Sequence, residues 1–370
     1  MNKIAIIHDS YTCSGGAERV FLKLVQIFPD ADIYTSLITP EFLKDLSKKT
    51  KGRINYSGLS SFKFLLDYAD YFKPYILFYW KTLDLDKYDL ILSSSHSFCS
   101  NWVRVRGKHI SYIHTPPRYL YGVYNEMQFL RRVPFKYLFF PTFSLIRKLD
   151  YVNSKKIDLL VANSKNVQKR IKKYYGRNST VVYPPVVIPK RVGKTSGREK
   201  ERKGKYYLFF SRLVKQKGCE LCIKAFNQNK KPLYVVGKGK EEKVLKKIAN
   251  KNIKFLGSQT DRKMMTILMG AKALIYCSIE EDFGIVPLEA MGHGIPVIAY
   301  KSGGVKETVI EGKTGIFFHK YNEQSLNKAI DKFEFTKFSR NECIGQAQRF
   351  NEKIFEDKIR YQVRKVLGHS

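Results

Sequence analysis

Residues Ser278 to Glu289 constrain this chain more than any other stretch. They read Ser-Ile-Glu-Glu-Asp-Phe-Gly-Ile-Val-Pro-Leu-Glu. The apolar run before them, Ala273-Leu274-Ile275-Tyr276, has the composition of a strand buried on both faces of a parallel sheet. Behind them a short helix is expected from Pro287 to about Met291, stopped by Gly292-His293-Gly294. Proline suits a first helical position, because its fixed φ fits and its missing N–H would be unpaired anyway. The pattern puts acidic residues and a glycine where a strand ends and a helix begins. The N–H groups of Phe283, Gly284, Ile285 and Val286 are then free to point at an anion. Glu281 lies before the turn and Glu289 on the helix behind it. Two carboxylates around a phosphate alone would repel it. They fit a ligand with hydroxyls on either side of its phosphates, one set on a sugar and one on a ribose. The alternative is a solvated acidic loop before an ordinary helix.

Length and charge set the frame. A chain of 370 residues suits two domains rather than one core, and 44% hydrophobic residues can fill both. The net charge of +34 attracts polyanions: nucleic acid, anionic lipid or diphosphate ligands. Sign alone does not choose among them. Met1 to Asp9 reads as a first strand, too short for the apolar core of a secretory signal. No apolar run reaches the ~18 residues that a membrane span needs. With 6 scattered cysteines, a reducing cytoplasm is the expected compartment. Cys219 and Cys222 have redox-motif spacing but follow Gly218 in a helix-like segment, and are expected to be core residues.

Strands and helices alternate along the chain. Ser14-Gly15-Gly16-Ala17-Glu18-Arg19 is a loop feeding a helix from about Ala17 to Phe28, and its glycines let backbone approach a ligand or simply make a tight turn. Ala31–Leu37, Leu90–Ser93, His109–His114 and Leu159–Ser164 read as strands. His114 ends its strand before two prolines, at a sheet edge where open α/β folds bind ligands; taken alone it could equally be structural. Two basic-aromatic stretches, Ser60–Leu83 and Phe129–Lys148, suit either a membrane face or core helices with solvated lysines. Asp84-Leu85-Asp86 precedes a strand instead of coming after one, and reads as a loop without metal. Lys190–Lys205 is charged and poor in apolar residues, a connection between domains. Tyr206–Phe210 then opens a second set of strands, with Ser211-Arg212-Leu213-Val214-Lys215-Gln216-Lys217-Gly218 directly after it. Leu233–Gly239 enters a Gly-x-Gly turn, which by itself is a weak nucleotide signal.

The spacing Glu281-x7-Glu289 resembles the signature of the retaining glycosyltransferases of family four. Phe283–Met291, Gly294–Ala299, Gly303-Gly304 and Glu307 agree with it, as do the Gly-Gly-Ala-Glu loop at Gly15 and the His-Thr-Pro-Pro-Arg run at His114. The resemblance implies the GT-B architecture, two Rossmann-like domains facing across a cleft. Their expected bounds are 1–189 for an acceptor domain, 190–205 for the linker, 206–349 for the nucleotide-sugar domain and 350–370 for a helix crossing back. It implies that Arg212 and Lys217 grip the donor diphosphate, with Lys215 a rival for the second role, and that His114 and Glu281 meet the transferred sugar. Glu289 would hold the ribose. Gly15, Gly16, Gly237, Phe283, Gly284, Ile285 and Val286 would line the donor, and Arg118 an acceptor phosphate or carboxylate. No metal and no cofactor are expected, since fixed cations and a helix start can stabilise the leaving diphosphate. The donor expected is GDP-mannose, with UDP-glucose, UDP-galactose or UDP-N-acetylhexosamine as alternatives. A glycan or polyprenyl-diphosphate-linked acceptor and an anionic membrane surface on the cytoplasmic side are the expected partners, as in O-antigen or exopolysaccharide assembly. A non-enzymatic basic binder of membranes or nucleic acid, and a phosphorylase or epimerase on the same fold, remain as other classes. No nucleic-acid signature is present.

Overall fold

A computed structural model describes residues 2–61, 73–97, 99–122, 140–189 and 204–368. The chain forms two compact units, Met1–Pro185 with Glu352–Ser370, and Val186–Asn351.

The strands of the first unit are β1 (Ile4–Tyr11), β2 (Asp32–Ile38), β3 (Ile54–Tyr56), β4 (Leu90–Ser95), β5 (Lys108–Ile113), β6 (Leu159–Ala162) and β7 (Thr180–Val181). Among the described residues they make one parallel sheet in the order β3-β2-β1-β4-β5-β6-β7. The second unit has β8 (Tyr206–Phe210), β9 (Leu233–Val236), β10 (Ile253–Gly257), β11 (Ala271–Tyr276), β12 (Val297–Tyr300) and β13 (Gly315–Phe318). Its order is β10-β9-β8-β11-β12-β13, again parallel. Helices cover both faces of such a sheet, so its central strands carry unbroken apolar runs: Ala5, Ile6 and Ile7 are consecutive and all fully buried. Both sheets are doubly wound and Rossmann-like. Strand order reverses between β1 and β4 in one and between β8 and β11 in the other. At such a reversal the connections leave in opposite directions and open a crevice at the carboxyl ends of the strands.

The core of the second unit gathers Tyr207, Phe209, Phe226, Ile275 and Phe318. Cys219 and Cys222 are buried in it, on the helix Cys219–Asn229 against Cys277, and burial pushes the Cys222 thiol well above its ordinary pKa. In the first unit the helix Glu352–Leu367 buries Phe355, Ile359 and Val363, at helical spacing, with Val20, Phe21 and Leu24 of the helix Gly16–Ile27. Arg360 donates to the Ile27 carbonyl at 3.1 Å. In the Asp84-Leu85-Asp86 loop Leu85 is buried and Asp86 pairs with Arg106 at 2.9 Å.

One expectation needs adjusting. The helix after the acidic turn spans Ile285–Gly292, so Pro287 is its third residue, not its first. Gly284 turns left-handed (φ +90°) and starts the helix two residues early, and Pro287 still lies in the first turn, where no N–H is missed. The connection expected at 190–205 lies outside the described residues except for 204 and 205. The same holds for residues 62–72 and 129–139 of the basic-aromatic stretches.

Candidate functional site

The crevice of the second unit is edged by the loops that leave β8 and β11. After β8 the chain runs through Ser211 and Arg212 into a tight turn, Lys215–Lys217. After β11 it runs through Cys277 to Glu281 and on to the helix Ile285–Gly292. These two loops are laced together. Ile279 donates its amide to the Gln216 carbonyl at 3.1 Å, and Lys217 forms an ion pair with Glu281. Lys215 is exposed, so of the two lysines it is Lys217 that reaches the acidic turn. Ser278 donates to Glu281 Oε2 at 2.5 Å, and the Tyr276 hydroxyl also bonds to that carboxylate; burial, and after it the Glu281 charge, hold the phenol well above its usual pKa. Three donors thus fix one carboxyl group. Arg212 is exposed, and among the described residues its guanidinium has no hydrogen-bond or ion-pair partner.

Glycines hold these loops at close approach. A Cβ on Gly303 would overlap the Glu281 backbone, and Gly304 donates to the Glu281 carbonyl at 2.8 Å. A Cβ on Gly237 would overlap the Ser211 carbonyl, and the Gly237 amide is taken by Gly257 at 2.9 Å. Gly237 therefore acts on the Arg212 loop by letting it pack. Glu280 sits at φ +51°, a conformation that costs a non-glycine residue on the order of 1–3 kcal/mol. Ser302 steadies it, accepting from the Glu280 amide at 3.1 Å and donating to its carboxylate at 3.0 Å. Neither Glu280 nor Ser302 stands out in the sequence, because strain leaves no compositional mark.

No side chain caps the helix Ile285–Gly292, so the amides of Ile285 and Val286 are open in its first turn. Phe283 is buried, its ring 5.6 Å from that of Phe350. It can offer a ligand only backbone. Glu289 is half-buried one turn into the helix.

In the first unit the crevice lies at the ends of β1, β4 and β5. His114, one residue past β5, is buried and bonds through Nε2 to Ser94 Oγ at 2.8 Å. Burial, then the His96 and His8 rings, push its pKa well below the ordinary imidazole range, so it works as a neutral group. His8 stacks on Phe21 with centroids 4.5 Å apart. Its Nδ1 lies 3.0 Å from the Ser94 carbonyl oxygen, which only accepts, so Nδ1 carries the proton. The His96 ring stands 5.9 Å from His8 and 6.4 Å from His114. Gly15 caps the helix Gly16–Ile27 with no side-chain bond, and Glu18 is buried in its first turn. Arg118 opens the short turn Arg118–Tyr121 and is half-buried. Asp9 and His96 are the residues that sequence reasoning misses. The one signal for them is the polar run Ser93-Ser94-Ser95-His96 closing an apolar strand. Among the described residues no group of His, Cys, Asp and Glu has the arrangement of a metal site.

Residues 14–188 match the family model described as Glycosyltransferase Family 4, and residues 194–350 the model described as Glycosyl transferases group 1. The chain belongs to the family 4 glycosyltransferases. Among curated relatives, the mouse alpha-1,3/1,6-mannosyltransferase ALG2 is 28% identical over 52% of this glycosyltransferase and 54% of its own length. An uncharacterized glycosyltransferase of Methanocaldococcus jannaschii is 29% identical over 43% of the chain and 46% of its own length. The chain thus spans about half the length of these relatives. An uncharacterized 41.2 kDa protein in the cps region of Klebsiella pneumoniae is 25% identical over 88% of each chain. Among solved structures, the lipopolysaccharide outer core galactosyltransferase WaaB in its apo form has a TM-score of 0.68 at 17% identity, covering 98% of this chain and 99% of that one. Anabaena Alr3699/HepE in complex with UDP and glucose has a TM-score of 0.69 at 20% identity, covering 99% and 100%. At such identities the likeness is one of fold, and that fold is GT-B.

Proposed function

We propose that this glycosyltransferase moves a hexose from a nucleotide diphosphate sugar to an acceptor hydroxyl with retention at the anomeric carbon. The observation that carries the reading is the ion pair of Lys217 with Glu281 at the strand reversal, beside Arg212 and the uncapped start of Ile285–Gly292. As the glycosidic bond breaks, negative charge grows on the leaving diphosphate. Arg212, Lys217 and the amides of Ile285 and Val286 lower that barrier, each most strongly in the transition state. Glu281 takes hydroxyls of the transferred sugar and Glu289 those of the ribose. Gly15 and Gly16 at their helix start, and neutral His114, contact the donor. The leaving phosphate takes the acceptor proton. With fixed cations in these roles no metal is required, and prolonged dialysis against EDTA should leave the rate unchanged; a loss restored by Mg²⁺ or Mn²⁺ would refute that part.

For the donor we favour GDP-mannose. The mannosyltransferase names among the relatives support it. The UDP and UDP-glucose complexes among the structural neighbours support a uridine donor as the second reading. The acceptor is a glycan or a polyprenyl-diphosphate-linked glycan in surface polysaccharide synthesis, with Arg118 on its phosphate. Among the described residues no helix is long and apolar enough to cross a membrane. The net charge of +34 and the exposed Phe78 and Leu145 suit peripheral contact with an anionic leaflet on the cytoplasmic side. Calorimetric titration against GDP-mannose, UDP-glucose, UDP-galactose and UDP-N-acetylglucosamine tests the donor. Tight binding of a uridine sugar alone would discard mannose, and no binding of any would discard the enzyme.

A further inference from the structure

The first unit buries an acidic group that the proposed reaction does not use. Asp9 is 5% exposed at the end of β1. Its Oδ2 accepts the amides of His96 at 2.7 Å and Ser97 at 2.8 Å, and the Ser95 hydroxyl at 3.2 Å. It therefore clamps the turn that leaves β4, across the strand reversal. The same oxygen lies 3.5 Å from His96 Nδ1, a nitrogen that is buried with no hydrogen-bond partner. A carboxylate only accepts, so a neutral His96 carries its proton on Nδ1, facing Asp9. Its Nε2 lone pair then points the other way, on a side chain that is 36% exposed. His114 stands beside it, ring to ring at 6.4 Å, and His8 lies on its other flank at 5.9 Å. His8 is fully buried and His114 nearly so, which leaves His96 as the most open ring of the three.

We propose that His96, oriented by Asp9, is a second substrate-facing imidazole beside His114, accepting a hydrogen bond from a sugar hydroxyl at the reacting centre through Nε2. This rests on the glycosyltransferase reading given above. The hydroxyl belongs to the transferred hexose or to the acceptor, and both present the same chemistry. Asp9 is the positioning residue: it fixes the turn, the ring direction and the tautomer.

The test uses the full chain with GDP-mannose and UDP-glucose as donors and p-nitrophenyl α-mannoside as acceptor. His96→Ala should lower kcat/KM for transfer on the order of 30- to 100-fold with an unchanged melting temperature. His96→Gln, which keeps an acceptor atom at that reach, should recover part of the loss. Hydrolysis of the donor without acceptor separates the two sources. If hydrolysis falls with transfer, the hydroxyl is on the donor sugar; if hydrolysis is spared, it is on the acceptor. Asp9→Asn supplies a readout that a purely structural Asp9 would not move. An asparagine there can present its NH2 to Nδ1, and the neutral ring then carries its proton on Nε2 and cannot accept through it. Asp9→Asn should therefore lower kcat for transfer on the order of tenfold with an unchanged melting temperature, and should cost nothing further in the His96→Ala background. Should His96→Ala not fold, His96→Phe keeps a ring and removes both nitrogens. A folded His96→Ala or His96→Phe that transfers at the wild-type rate overturns the inference. A wild-type chain that turns over neither donor sinks the proposed function itself, and this inference with it.

Discussion

Lys217 and Glu281 are each other's partner, yet the chemistry asks them to serve different ends of one ligand. In the proposed reaction Lys217 serves the diphosphate and Glu281 the sugar. A carboxylate held by Lys217, Ser278 and Tyr276 has its position set before the donor arrives, and that is what preorganisation requires. Lys217→Ala and Glu281→Ala should each cost on the order of 10²–10³ in kcat/KM. Because each mutation also unpairs the other residue, the double variant should be well short of the product of the two, a coupling of roughly 0.5–3 kcal/mol. Steady-state kinetics on the four proteins checks this, and strictly multiplicative losses would show that the pair does not act as a unit. Tyr276→Phe removes one of the three donors and leaves both charges in place. It should lower kcat roughly tenfold while nucleoside diphosphate affinity, measured by calorimetry, stays the same. An equal loss in nucleotide affinity would mean that Tyr276 shapes the loop rather than the carboxylate.

At the scale of elements, four helical segments of the first unit meet on one buried carboxyl group. Asp150 of the helix Phe140–Ser154 takes bonds from Asn101 at 2.7 Å, from Tyr121 at 3.0 Å, and from Tyr175 of the helix Lys165–Tyr175. Burial pushes its pKa up to about 6. The folded protein therefore holds this proton more tightly than the unfolded chain. Asp150 contributes most to stability below the pKa of an unfolded aspartate, and the contribution is lost as pH rises through about 6. Asp150→Asn cannot ionise, so its melting temperature relative to the wild type should climb between pH 4.5 and pH 7.5; a flat difference would refute the assignment. This network is not legible in the sequence, and neither is the Asp9–His96 clamp. Asp9 and His96 are 87 positions apart and meet only because the sheet places β4 beside β1. The strand–turn–helix at Ala273–Gly292 is legible, since its whole pattern lies within one contiguous stretch. Even there the pattern puts the helix start two residues late, because a proline is a strong local marker while the left-handed turn at Gly284 is a matter of backbone geometry. That Lys217 and not Lys215 pairs with Glu281 needs coordinates, as both lie in a single turn of chain.

For the molecule as a whole, the order of the chain and the order of the cores differ. The chain enters the second unit at Val186 and leaves it at Asn351, and these two residues form a parallel bridge, with the Val186 amide on the Phe350 carbonyl at 2.9 Å. The last helix is thereby returned to the first unit, whose strands all precede residue 186. Phe355, Ile359 and Val363 are 1%, 1% and 6% exposed there, against the helix that carries the Gly15–Gly16 loop at its start. Burying such side chains is worth about 1.5–3 kcal/mol each, so the three together contribute roughly 4.5–9 kcal/mol. That is comparable with the whole stability of an ordinary domain, about 5–15 kcal/mol. A chain ending at Asn351 should therefore lose the first unit and keep the second. Hydrogen exchange separates the two outcomes directly: amides of β1, β2 and β4 should lose their protection, while those of β8, β9 and β11 should keep it. On the proposed reading, which needs His114, His96 and the Gly15–Gly16 loop for transfer and Arg212 and Lys217 for the diphosphate, transfer should vanish while nucleoside diphosphate binding should persist within a few-fold. Intact protection across β1–β4 in the shortened chain would show that the first unit closes its core without this helix. A loss of nucleotide binding alongside intact β8–β11 protection would refute the assignment of the diphosphate to Arg212 and Lys217.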